Sequence, residues 1–236
     1  MLGKHQQYGV NCPAAGPGGL ALLEYDNAKP VALIDYVERN PSEARRHLLR
    51  KAAEWAGIRY YCCLVTRRDS DWRFSADGWV YDMLGWVEFL HELRGRNGWH
   101  SHAEIMEAYE TGYWRSVDNG NDTESLIEQF SILHKGFGRN CPAVEPGMIV
   151  ANAKNEPLVI IKYMSVAARD SGIANMSTIE WFADKAKLPF LECHYPLNCA
   201  KFTPIALNDY GRKWLGNWNG KHLDDKVWFE ELRSLT

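Results

Sequence analysis

The sequence predicts an α/β fold, a mixed sheet flanked by helices, written twice in one chain. Three observations carry this. Asn11-Cys12-Pro13-Ala14 recurs as Asn140-Cys141-Pro142-Ala143, and two residues further on each copy has Pro-Gly, at Pro17-Gly18 and Pro146-Gly147. A polar turn then leads to matching apolar runs, Pro30-Val31-Ala32-Leu33-Ile34-Asp35-Tyr36 and Pro157-Leu158-Val159-Ile160-Ile161-Lys162-Tyr163. Self-similarity in a fixed order marks a repeated supersecondary unit. The predicted organisation is a first repeat over residues 1–97, a connecting helix and linker over 98–123, and a second repeat over 124–236.

Length and composition agree with that plan. The 236 residues allow two domains of about 100 each. With 46% hydrophobic and 24% charged residues, there is material for packed cores and a soluble surface. No apolar run approaches the ~20 residues of a membrane span. Met1-Leu2-Gly3-Lys4-His5 lacks a signal peptide's apolar stretch, so the expected compartment is the cytoplasm, that of a host if the chain is phage-encoded. A net charge of −3 argues against strong non-specific attraction to nucleic acid, while leaving room for a local basic groove. The six cysteines are expected to be reduced thiols, with Cys12 and Cys141 in structural roles and Cys62-Cys63 in a buried strand.

In the first repeat, Leu20 to Tyr25 and Val31 to Val37 read as a hairpin around Asp26-Asn27. Asn40-Pro41 with Glu43 resembles a capping box opening a helix, whose apolar face is Ala44, Leu48, Ala52 and Trp55 and whose stop is Gly57. Ile58 to Val65 is a third strand, and Trp72-Arg73-Phe74 begins a fourth. Leu84 to Arg94 is a closing helix with Leu84, Val87, Leu90 or His91, and Leu93 inward. The second repeat follows the same order. Strands are expected near Ile149 to Asn152 and Leu158 to Met164, a helix near Thr178 to Lys187, a strand at Phe190 to Tyr195, and a closing helix at Val227 to Arg233. Cys193 matches Cys63, Phe202 matches Phe74, and Leu232-Arg233 echoes Leu93-Arg94. A helix between adjacent strands implies a crossover joining parallel strands. Glu104 to Trp114 and the amphipathic Thr123 to His134 are two further expected helices.

The run Leu126-Ile127-Glu128-Gln129-Phe130-Ser131-Ile132-Leu133-His134, then Asn-Cys-Pro-Ala and the hairpin ending Asp35-Tyr36, resembles small phage and bacterial proteins similar to the PD-(D/E)XK nuclease superfamily. The resemblance implies a restriction-endonuclease-like mixed sheet flanked by helices. It also implies acids just after Cys-Pro and an acid-Tyr-Lys triplet ending the second strand. Carboxylates on the two hairpin strands would hold Mg²⁺ through oxygen ligands. A lysine two residues after the second acid shares its face of the strand and could orient the attacking water.

This chain departs from that pattern. Gly16 and Gly18 stand where the first repeat should have acids, and its triplet is Asp35-Tyr36-Val37. The second repeat has Glu145 and Gly147, then Lys162-Tyr163-Met164. The candidate catalytic residues are therefore Asp35, Glu145 and Glu128, which would form a composite site if the repeats packed face to face, Asp35 from one with Glu145 or Glu128 from the other. The face Val31, Leu33, Asp35, Val37 equally reads as a half-buried strand surface with one polar member. Candidate nucleic-acid contacts are Arg45, Arg46, Arg50 and Lys51 on the first helix, with Lys162, although a solvated helix face is the plainer reading. His100 and His102 read as linker. Trp79, Tyr81, Trp86, Trp99, Tyr109, Tyr113 and Trp114 crowd the join and suggest an interdomain interface.

Three functions follow, in this order. The first is a non-catalytic, fused pseudo-dimer of nuclease-like domains, needing no cofactor, that binds nucleic acid or a protein partner. The second is a Mg²⁺-dependent DNA endonuclease or junction resolvase with a rearranged site. The third is a structural or assembly protein of a phage particle.

Overall fold

The computed structural model describes residues 2–14, 19–25, 29–68, 71–93, 143–166 and 176–235. The expected helices at 104–114 and 123–134, and His100 and His102, lie outside them. The described chain is mixed α/β with two sheets. Its two compact units interleave the halves of the sequence: unit 1 comprises Met1–Gly16, Ser42–Arg59 and Pro146–Thr236, and unit 2 comprises Pro17–Pro41 and Tyr60–Glu145.

Unit 2 holds a six-stranded sheet. Its strands are β1 (Gly19–Tyr25), β2 (Lys29–Val37), β3 (Arg59–Arg68), β4 (Asp71–Ala76), β5 (Trp79–Tyr81) and β6 (Ala143–Val144), in the order β5-β4-β3-β2-β1-β6. Asp77 and Gly78, both at positive φ, make the tight turn between β4 and β5. Helix α3 (Met83–Leu93) packs on one face, burying Met83, Trp86, Val87 and Leu90 against Ile34, Tyr36, Cys63 and Phe74. Trp86, expected at an interdomain surface, is therefore core, and it takes the inward place assigned to Leu84.

Unit 1 holds a five-stranded sheet. Its strands are β7 (Met148–Ala151), β8 (Pro157–Ser165), β9 (Phe190–Tyr195), β10 (Lys201–Ala206) and β11 (Leu223–Asp224), in the order β11-β10-β9-β8-β7. Helix α4 (Met176–Ala186) joins β8 to β9, which pair in parallel as the crossover argument expects. The unit also contains α1 (Leu2–Gln7), α2 (Glu43–Ala56), α5 (Asp209–Leu215) and α6 (Asp225–Ser234).

Helix α2 begins two residues later than the capping-box reading, which had Asn40 as cap. Ser42 is the cap, its hydroxyl accepting from Arg45 N, and Gly57 ends the helix in the left-handed region at φ 70°. The buried face is Arg45, Leu48, Leu49, Ala52, Ala53 and Ala56, while Trp55 is 40% exposed. The apolar stripe is rotated because α2 packs against α4 and β8, within unit 1.

The two hairpins share a detail that no alignment of apolar residues reveals. Register shifts once in each, between Leu23 and Glu24 and between Val150 and Ala151, and the opposite strand resumes at Pro30 and at Pro157. Proline lacks an amide hydrogen for the ladder, which suits it to a bulge. Ala21 faces Ile34 and Met148 faces Ile161. The first hairpin therefore has two more residues between Pro-Gly and this point (17 to 21 against 146 to 148).

Helix α5 has no counterpart among the predicted elements. Its cap, Asn208, is 1% exposed and uses its whole amide. The side-chain oxygen accepts from Gly211 N and Phe190 N, and the nitrogen donates to Leu188 O and Asp184 Oδ1. Gly211 must be glycine, since a Cβ would lie 2.8 Å from Phe190 O. Asn208→Ala should cost about 3 kcal/mol in urea unfolding, because buried amides and a carbonyl lose partners together. A cost under ~1 kcal/mol would contradict this role.

Candidate functional site

The acid-Tyr-Lys frame falls on the second strand of each hairpin, at Asp35-Tyr36-Val37 on β2 and Lys162-Tyr163-Met164 on β8. The two tyrosines do the same thing. Each is approached by a tryptophan of the closing helix: Trp86 Nε1 donates to Tyr36 Oη at 3.3 Å, and Trp228 Nε1 donates to Tyr163 Oη at 3.2 Å. Each tryptophan stacks on a phenylalanine of the next hairpin, Phe74 and Phe202, with ring centroids 5.5 and 6.5 Å apart. The helices thus align as Trp86-Val87-Glu88-Phe89-Leu90 with Trp228-Phe229-Glu230-Glu231-Leu232, so Leu232 echoes Leu90 rather than Leu93.

The cysteines complete the parallel. Cys63 and Cys193 are fully buried. Burial, then the charges of Cys62 and Asp35, pushes the Cys63 thiol well up, and burial does the same to Cys193. Backbone hydrogen bonds of Ser75 and Thr203 respectively oppose the shift. Such thiols are poor nucleophiles and poor metal ligands at neutral pH.

Asp35 is fully buried, as are Leu33 and, nearly so, Val37, while Val31 is partly buried, so the face expected to be half-buried is interior over three of its four residues. The Asp35 carboxylate accepts from the Tyr60 hydroxyl at the long distance of 3.5 Å. Glu145 is exposed beside β6. Strand β1 stands between β2 and β6, which separates the Asp35 and Glu145 backbones by about two strand spacings, roughly 10 Å. Glu128 lies outside the described residues. Among the described residues no three His, Cys, Asp or Glu side chains stand close enough to hold a metal ion. Among those residues, Asp35 and Glu145 do not assemble with a third donor into a Mg²⁺ site.

The basic residues of α2 differ in their surroundings. Arg45 is buried and donates from Nη1 to Ala14 O at 2.8 Å. Lys51 pairs with Glu54 at 2.9 Å. Arg46 is half-buried and Arg50 exposed. Lys162 is half-buried on β8.

Opposite Lys162 the structure places two residues absent from the predicted site. Lys162 pairs with Glu192 in parallel register, and Glu192 bonds His194 Nε2 at 2.5 Å. Alternation about buried Cys193 puts Glu192 and His194 on one face, the face of Lys162. The legible signal was Glu-Cys-His within a predicted strand. A lysine beside a His–carboxylate pair can bind an anion or pass a proton.

One buried titratable group lies on the other side of this sheet. His5, fully buried, shares a 2.8 Å hydrogen bond between Nε2 and Tyr163 Oη and meets Phe229 edge-on at 5.1 Å. Among the described residues its Nδ1 has no partner. Burial, and secondarily the nearby amino terminus, pushes His5 from its ordinary 6.5 down to about 4. The unfolded chain therefore binds this proton more tightly than the folded one. Stability from neutral His5 is complete above pH 6.5 and is lost as pH falls towards 4, by about 3 kcal/mol in all. Urea unfolding across that window should show the loss in wild type and not in His5→Phe. An equal slope in both would assign the pH dependence to other groups.

Compared with protein-family models, with curated proteins and with solved structures, the chain finds no match.

Proposed function

We propose that the chain is a tandem duplication of a small nuclease-like domain, fused as a pseudo-dimer, that has lost metal catalysis and works as a binding protein. One observation carries this reading. The tyrosine of the triplet serves packing in both copies, each held by a tryptophan, and Asp35 of the first is sealed in the interior beside Tyr60. The equivalent bulges, prolines and cysteines support duplication. A protein partner is favoured over nucleic acid, because Arg45 is engaged within the fold, while Trp79 and Val80 on edge strand β5 are 70% and 66% exposed.

A second reading, a nuclease with a rearranged site, draws on the grouping of Lys162, Glu192 and His194. Incubation with branched, linear and single-stranded DNA plus Mg²⁺ or Mn²⁺ separates the two. Intact DNA is the expected result. Cleavage lost in Glu192→Gln would install the second reading, and cleavage lost in Asp35→Asn would restore the site implied by the family resemblance. Salt-sensitive DNA binding that weakens in Arg46→Ala/Arg50→Ala would make nucleic acid the partner.

A further inference from the structure

Residues 2–14 precede the first hairpin in the chain, yet they belong to unit 1 with the second hairpin. Their grip on it is detailed. Tyr8 stacks on Phe229 with ring centroids 5.1 Å apart and planes 3° from parallel. His5 meets Tyr163 and Phe229, and Val10 enters the core formed by Val150, Ile161 and Phe202. Asn11 O accepts from Ala151 N at 2.8 Å, and Asn11 Nδ2 donates to Asn152 O at 2.6 Å and to Asn155 Oδ1 at 3.2 Å. Cys12 Sγ donates to Ile149 O. A contact with the segment's own half enters at its end, where Arg45 holds Ala14 O.

The other copy of the motif is placed in the same sense. Ala143 and Val144 pair with Leu23 and Leu22 of β1, extending the first half's hairpin within unit 2. Each hairpin is thus completed at its outer edge by the segment that introduces the other.

We propose that Leu2–Ala14 is an exchangeable peptide ligand of unit 1, and that a second copy of this chain docks by inserting its own Leu2–Ala14 in the same place. The contacts of residues 5–12 on β7, β8 and α6 are identical whichever chain supplies the segment. The closed single chain and the exchanged pair therefore differ mainly in effective concentration. The recognised features are an imidazole and a phenol three residues apart, followed by Val-Asn-Cys with its backbone laid along β7.

The test uses full-length protein and a fluorescent peptide of residues Leu2–Ala14. A full-chain variant, His5→Ala/Tyr8→Ala, weakens the tethered segment, and its melting curve reports whether it folds. Asn11→Ala replaces it if it does not. One peptide should bind per variant chain, at least ~10-fold more tightly than to wild type, whose tethered segment competes at millimolar effective concentration. A Tyr8→Ala peptide should bind ~10-fold more weakly, as expected for loss of an aromatic anchor. Two wild-type samples carrying different affinity tags should co-purify after incubation together at high concentration, and excess peptide should prevent it. No peptide binding to a folded variant, binding indifferent to Tyr8→Ala, or tags that never co-purify would overturn the proposal. None of these readouts depends on DNA cleavage, so failure here and failure of the non-catalytic reading are distinguishable.

Discussion

Phe202→Ala should destabilise unit 1 by about 4 kcal/mol, the range for truncating a buried phenylalanine. Phe202 is fully buried, and its ring meets Tyr163, Tyr195, Trp228 and Phe229 at centroid distances of 5.3–6.5 Å. The cavity left behind would sit beside the Tyr163–Trp228 hydrogen bond, in packing too dense to collapse cheaply. Phe74→Ala is the matched experiment. Phe74 is also fully buried, stacked between Trp72 and Trp86 beside the Tyr36–Trp86 hydrogen bond. It should cost the same to within about 1 kcal/mol if the two clusters do the same work. Urea unfolding of both variants checks this, and a cost below ~2 kcal/mol for either would show that its cluster is not a core.

Gly147→Ala should cost a comparable ~4 kcal/mol, for backbone reasons. Gly147 has φ 92°, where a side chain is strained, and a Cβ there would lie 2.7 Å from Ile161 O. That carbonyl belongs to a central strand and cannot retreat without disturbing β8. The second glycine of the Pro-Gly pattern is thus demanded by how closely the chain passes β8, at a position where the family resemblance would have an acid. Hydrogen exchange should show the loss concentrated in β7 and β8. A stable Gly147→Ala with unchanged protection would mean that the chain can take another path there.

How much could be read from the sequence depended on which physical signal each element carried. Strands β2, β8 and β9 were legible within about two residues, since long apolar runs flanked by turn residues have few other readings. Helix α2 was legible in extent but not in orientation. Its sequence offers apolar residues on two overlapping stripes, and contact with α4 chose the one containing Leu49 and Ala53 over the one containing Trp55. Strand β5 is three residues long and α5 seven, too short for a periodic signal. The placement of Met1–Gly16 with the second hairpin could not be read, because the sequence repeat says which segments are alike and not which ones pair.

The site divides in the same way. Asp35, Glu145 and Lys162 were found because the triplet and Cys-Pro patterns point at them. Asp35's burial was not, since alternation around one polar residue looks the same on a wet face as on a dry one. Arg45 looked like one of a basic row, yet it is buried on Ala14 O. Glu192 and His194 matched no motif and emerged only from their register with Lys162.

Thermal melting with and without divalent metal tests the proposed non-catalytic reading most directly. A metal held by the folded chain alone would raise stability by RT ln(1 + [metal]/Kd), about 2.7 kcal/mol at a hundredfold excess over Kd. The melting curves in EDTA and in millimolar Mg²⁺ or Mn²⁺ should coincide. A metal-dependent rise that Asp35→Asn or Glu192→Gln abolishes would contradict the proposed reading and favour a metal-dependent nuclease.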